Sequence, residues 1–166
     1  MRFQITDDSG FLALIDPKRY EAFVSRDWEL DQLFNHFKEQ MKRQSLLIWG
    51  TGSEGTHEVE VSMEFTETKG FREVGGYIQV SSGELCFINY EGLTLAAMSP
   101  KIKLPEDHMR DQIVNLESGF YQVRIIQRDD PDKDFVEGYE GLRFRVEFRL
   151  AKKTPDYWRN IPWYND

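Results

Sequence analysis

The spacing of apolar residues changes period at Ser45, and that change dictates the class of fold. Before it, Leu30, Leu33, Phe34, Phe37 and Met41 fall at i, i+3, i+4, i+7 and i+11. Only a helix gathers that spacing into one stripe. After it, His57, Val59, Val61, Met63 and Phe65 alternate with Glu58, Glu60, Ser62 and Glu64. Leu142, Phe144, Val146, Phe148 and Leu150 likewise alternate with Arg143, Arg145, Glu147 and Arg149. A two-residue period sends one set of side chains to a core and the other to water.

Residues 46–49, 74–80, 85–90, 93–98 and 120–127 read as further strands. Ser81-Ser82-Gly83 and Glu91-Gly92 are the links between three of them, and a parallel crossover needs a longer connection, so the pairing is expected to be mostly antiparallel. The helices fall in the N-terminal part. One is predicted over 18–24, opened by Asp16-Pro17, and a second over the Leu30–Met41 stripe, capped by Ser25 or Asp27. The reading is an α+β fold, with N-terminal helices packed on a mostly antiparallel, strongly curled sheet or β-sandwich of about seven strands. The chain has 166 residues and no linker composition, so residues 1–166 are expected to form a single domain.

The 29 acidic and 21 basic residues leave a net charge of −8. That balance repels phosphate backbones and anionic lipid, so neither nucleic acid nor a membrane is an expected partner. No run approaches the roughly 18 apolar residues of a membrane span. The opening Met1–Asp8 stretch turns acidic at once, without the apolar run of a secretory leader. Cys86, the single cysteine, sits in Leu85-Cys86-Phe87-Ile88, which suits a small core side chain in a reducing compartment. The expected location is the cytoplasm.

Several motifs suggest chemistry and are outweighed by their context. Gly50-Thr51-Gly52-Ser53-Glu54-Gly55 matches a dinucleotide-binding fingerprint, but that fingerprint must open a helix. Here an alternating strand follows, so the glycines are read as a link between two strands. Asp130-Pro131-Asp132-Lys133-Asp134 begins like a calcium loop. Its sixth position is Phe135 and its twelfth Gly141, where the loop calls for glycine and glutamate, so an acidic turn is the better reading. His36, read as solvated, His57, read as a partly exposed strand end, and His108 form no metal-ligand spacing. No nucleophile motif occurs, and no cofactor or metal is expected.

Two features remain. Arg143, Arg145 and Arg149 share the polar side of one strand, and Arg124 on a second strand joins them if the two are neighbours. These arginines either pair with the Glu58, Glu60 and Glu64 face or form an anion-binding surface. The tail then concentrates Trp158, Trp163 and Tyr164. Rings so placed either fold back onto their own core or dock onto another subunit as a homo-oligomer contact.

Lys101-Ile102-Lys103-Leu104-Pro105, followed by Gly119-Phe120-Tyr121-Gln122-Val123-Arg124-Ile125, resembles a unit of small cytoplasmic bacterial α+β proteins. Some of those proteins act as immunity or inhibitor partners of toxins. The resemblance assigns no functional residue and implies a protein partner. The sequence thus points to a non-enzymatic, immunity- or inhibitor-type protein-binding domain. The alternative is a small-molecule-binding protein or enzyme with an arginine-lined pocket for an anionic ligand.

Overall fold

A computed structural model describes residues 1–133 and 142–164. Nine strands divide between two sheets. β1 (Arg2–Asp7), β4 (Gly55–Ser62), β5 (Arg72–Val80), β8 (Gly119–Gln127) and β9 (Leu142–Ala151) form the larger, in the order β1-β4-β9-β8-β5. β2 (Phe11–Ile15), β3 (Leu46–Gly50), β6 (Glu84–Asn89) and β7 (Ile113–Asn115) form the smaller, in the order β3-β2-β6-β7. Neither is strongly curled, and the strands outnumber the seven or so expected from periodicity. Pairing is antiparallel except between β4 and β9, which run parallel.

The smaller sheet is the middle layer. Leu12, Leu14, Leu47 and Trp49 face one core, shared with Val59, Val123, Phe144 and Phe148 of the larger sheet. Phe11, Ala13, Ile15, Leu46 and Ile48 face a second core beneath the helices, with Leu33, Phe37 and Met41. Every residue of β2 and β3 is therefore buried, which is why 11–15 and 46–49 are apolar throughout rather than alternating. Burying one such side chain contributes about 1.5–3 kcal/mol. Cys86 joins the second core, where burial pushes its thiol up to about 12.

Helix α1 (Leu30–Lys42) forms where the apolar stripe predicts it. Its cap is Glu29 rather than Ser25 or Asp27, since Gln32 Oε1 accepts the Glu29 backbone N–H at 2.9 Å. Leu30, at the open first turn, stays exposed. The helix stops at Gln44, whose φ of 54° is left-handed. The Gln44 side chain donates to the carbonyls of Thr154 and Asp156 at 3.0 and 2.7 Å, and its own carbonyl accepts the Gln79 N–H. One residue thereby joins a helix end, a sheet edge and the tail.

Two local expectations are corrected. Residues 18–24 form no helix. The Asp16-Pro17 signal makes a single turn, with Asp16 Oδ1 accepting the N–H groups of Lys18 and Arg19. Its other oxygen accepts the Ser81 N–H, and the chain then runs to Val24 and Ser25, whose N–H groups bond the Ala97 carbonyl. Residues 93–98 form no strand. They lie in α2 (Tyr90–Met98), capped by Asn89 Oδ1, which accepts the Gly92 N–H at 2.9 Å. Leu93, Ala96 and Ala97 make the i, i+3, i+4 stripe that buries α2. The helices are thus not confined to the first 45 residues, and a 3₁₀ turn follows at Asp107–Gln112.

The tail folds back on its own chain. The Trp158 ring packs against both cores, and its Nε1–H donates to the Gly75 carbonyl at 2.7 Å. Ile161 is buried in the second core, and the Pro162 carbonyl accepts the Gly50 N–H. Gly76 makes room for Trp158, because a Cβ there would lie 2.8 Å from the indole and 3.0 Å from Leu47 Cδ2. Gly76→Ala is expected to lower stability by about 1–3 kcal/mol through overpacking. That corresponds to a thermal midpoint lower by about 2–10 °C, with a shift in tryptophan fluorescence. An unchanged melting curve would show that Trp158 does not need this close seat.

Candidate functional site

The outer face of the larger sheet carries the charged residues singled out in the sequence. β4 and β5 run parallel but are separated by β9 and β8, so the segment 63–71 must cross that face as a strap. Glu147, at the centre of β9, is fully buried beneath it. The Thr66 hydroxyl and N–H donate to its two oxygens at 2.5 and 3.2 Å. Arg145 Nε donates to it at 2.8 Å and Arg124 Nη1 at 3.2 Å. Arg124 also holds the strap by donating to the carbonyls of Thr66 and Thr68.

Burial alone would raise the Glu147 pKa. The hydrogen bonds from Thr66 and Arg145, together with the Arg124 charge, hold it below the ordinary carboxylate value. Arg145 reaches Glu60 at 2.6 Å, Arg124 reaches Glu73 at 2.5 Å, and Arg2 extends the ladder to Glu60 at 3.0 Å. Arg145 thus pairs with Glu60 of the expected acidic face, whereas Arg124 pairs with Glu73 and Glu147 instead of Glu58, Glu60 or Glu64. Arg143 is separate: it is buried and pairs with Asp129 at 2.8 Å, not solvated beside the other two. Arg149 is exposed, donating to Gln122 and lying 4.3 Å over the Phe65 ring.

Trp163 and Tyr164 lie elsewhere, in a cleft of about 640 Å³. The β1–β2 turn, the loop at 50–55 and the tail build it. The loop joins two strands, as its alternating continuation requires, and it is tightly held. Its Thr51 N–H donates to the Gly10 carbonyl, the Thr51 carbonyl accepts from Gln127 Nε2 at 2.8 Å, and the Thr51 hydroxyl donates to the Ser53 carbonyl at 2.7 Å. Gly10, Gly50 and Gly52 line the cleft and put no side chain into it. At Gly50, a Cβ would run into the Trp163 carbonyl.

Phe11, Trp163 and Tyr164 supply the apolar wall, and Ser9, Ser53 and Glu54 the polar one. Tyr164 stacks on Phe34 at 5.2 Å and remains 38% exposed. The Arg72 guanidinium lies 4.5 Å over the Trp163 ring. None of Arg124, Arg143, Arg145 and Arg149 lines this cleft. The sequence reading missed Glu54, Ser53 and Phe11 as cleft residues. Their signal lay in the glycine loop, which was read as a connector without regard to the room that it leaves.

The histidines are differently placed than expected. His57 is 1% exposed rather than at an open strand end, with Nε2 3.7 Å from Asp7 Oδ2 and its ring edge-on to Phe144. His36 is half-buried rather than solvated, bonded to the Glu21 carbonyl, and burial lowers its pKa. His108 is exposed near Glu106. Among the described residues, no three His, Cys, Asp or Glu side chains converge as metal ligands. The turn expected at Asp130–Asp134 shows Asp130 Oδ1 accepting the Asp132 N–H. Asp134, Phe135, Glu140 and Gly141 lie outside the described residues. No described helix is long and apolar enough to cross a membrane.

No protein-family model matches this chain, and no curated protein matches it. Two solved structures share its fold. One, described as crocagin biosynthetic gene J, is 12% identical with a TM-score of 0.56, and covers 91% of this chain and 96% of its own. The other is ComJ from Bacillus subtilis, an inhibitor of the DNA-degrading activity of NucA. It is 8% identical with a TM-score of 0.51, over the same 91% and 96%.

The buried carboxylate gives the outer face a definite response to acid. A pKa lower in the folded than in the unfolded chain stabilises the fold above the ordinary value of 4.5, and that contribution is lost as pH falls through the folded value. Glu147→Gln is expected to cost about 3 kcal/mol at neutral pH, the lower end for a broken buried pair, since Arg145 keeps Glu60 and Arg124 keeps Glu73. Its melting temperature should also depend less on pH below 4.5 than that of the parent chain. Parallel pH profiles for the two proteins would exclude Glu147 as the source.

Proposed function

We propose that this chain is a protein-binding domain of inhibitor type, acting as one unit and engaging a basic partner of the class that handles nucleic acid. The observation that carries the reading is the likeness of fold, over nearly the whole of both chains, to an inhibitor of a DNA-degrading activity. Charge supports it. An enzyme that degrades DNA must hold phosphates with lysine and arginine, and a chain of net charge −8 is steered toward such a surface. Exposed carboxylates sit beside the cleft at Asp8 and Glu54, and along the strap and its exit at Glu64, Glu67 and Glu73.

An arginine-lined anion pocket is the weaker reading. Arg124 and Arg145 already bind carboxylates of this chain, and neither lines the cleft at Trp163 and Tyr164. Arg149, Lys152 and Lys153 are exposed, and they are the residues through which an acidic partner would act instead.

The test is capture from native lysate with the full chain, followed by reconstitution with the purified partner. Truncation after Lys153 is unsuitable, because it removes Trp158 and Ile161 from the two cores. The expected partner is basic, loses its nucleolytic activity at equimolar inhibitor, and binds at least about tenfold more weakly when salt rises from about 0.05 to 0.5 M. A partner that is acidic, or that remains fully active when saturated with this chain, would remove the support for the reading.

A further inference from the structure

The cleft beside the glycine loop carries the chemistry of a cation site. Glu54 stands at it exposed, and among the described residues no hydrogen bond or ion pair engages its side chain. Ser9, also at the cleft, donates its hydroxyl to Glu91 at 2.5 Å. Asp8, next to Ser9 in sequence, is exposed. The guanidinium of Arg72 lies 4.5 Å over the ring of Trp163, one of the lining residues. The aromatic wall thus already holds a guanidinium by the attraction between a cation and the negative face of a ring. Tyr164 brings a further ring to the cleft, with 38% of its surface open.

A carboxylate, Glu54, in a cleft lined by the Phe11, Trp163 and Tyr164 rings suits a flat or compact organic cation. The same lining does not suit a phosphate, which the Glu54 carboxylate would repel. We infer that this cleft receives an arginine or lysine side chain projected by the protein partner. The inference rests on the reading of the partner as basic. It goes further by naming where one of its basic side chains is anchored, with Glu54 as the ionic contact and Tyr164 and Phe11 as the apolar seat. A long side chain that buries its stem against rings and its head against a carboxylate is the usual composition of an interface hot spot.

The probe is N-acetyl-arginine amide, set against N-acetyl-citrulline amide, an uncharged compound of nearly the same shape. The readout is the backbone amide spectrum of the intact chain, where Gly10, Gly50 and Gly52 report from inside the cleft. The arginine compound is expected to shift those three signals in a saturable way, and the citrulline compound to bind at least about fivefold more weakly. Glu54→Gln should weaken the arginine compound about two- to fivefold, the range for one partly exposed ion pair. Its melting temperature should not change, since Glu54 supports no other group. Tyr164→Leu is a second probe of the ring contact. Equal binding of the two compounds, no response at the three glycines, or an unaltered affinity in Glu54→Gln would each overturn the inference. With the reconstituted partner, a Glu54→Gln, Tyr164→Leu chain that binds as tightly as the parent defeats the cleft and leaves the inhibitor reading standing. A partner lacking any salt dependence defeats the reading itself, whereas the small-molecule result judges the cleft independently of it.

Discussion

Two strands of the middle sheet, β2 and β3, have no solvent face, and the rest of the molecule follows from that. β2 and β3 present apolar side chains on both sides, so a sheet must cover one side and helices the other. The larger sheet and the pair α1 and α2 meet that need. What remains is the side where the edges of β3 and β5 come together, and the tail closes it. Trp158 satisfies the Gly75 carbonyl, and the Pro162 carbonyl takes the Gly50 N–H. Two sheet edges that would otherwise invite another chain are thereby occupied from within.

The outer face solves a different problem. A strap from β4 to β5 has no helix to shield it and few apolar residues to bury. It is held by hydrogen bonds to a carboxylate that has itself been taken out of water. Such an arrangement adds little net stability, because desolvation offsets most of the attraction. It does fix the path of the strap, since Glu147, Arg124 and Arg145 satisfy one another in a single geometry.

Much of this was legible from periodicity. The α1 stripe, the alternation in β4 and β9, and the apolar runs of β2 and β3 each have one physical explanation, and the structure supplies it. The glycine loop was also legible as a connector, since an alternating strand cannot follow a phosphate-binding turn. Residues 93–98 misled because a short helix buried on one side and a short strand present the same apolar density; Asn89 before Gly92 was the overlooked cap. The Asp16-Pro17 signal misled because a capped turn and a capped helix begin alike, and only the pull of Ser81 on Asp16 distinguishes them. Glu147 looked like one more solvated acid among arginines. Nothing in its own strand shows that a crossover lies over it, since that depends on β5 pairing with β8 rather than with β4. The cleft was illegible for a related reason: Ser9, Glu54 and Tyr164 are far apart in sequence and meet only when the tail returns.

Strand order also governs how the molecule can be assembled during synthesis. β9, which follows the other described strands in the chain, occupies the centre of the larger sheet, with β4 on one side and β8 on the other. Until it arrives, the β1–β4 ribbon and the β5–β8 ribbon have no common partner, and the strap between them has no carboxylate to grip. Between the completion of β8 at Gln127 and the arrival of β9, the chain therefore holds two half-sheets with open edges. Such long-range closure slows folding and leaves ribbon edges accessible in the interval.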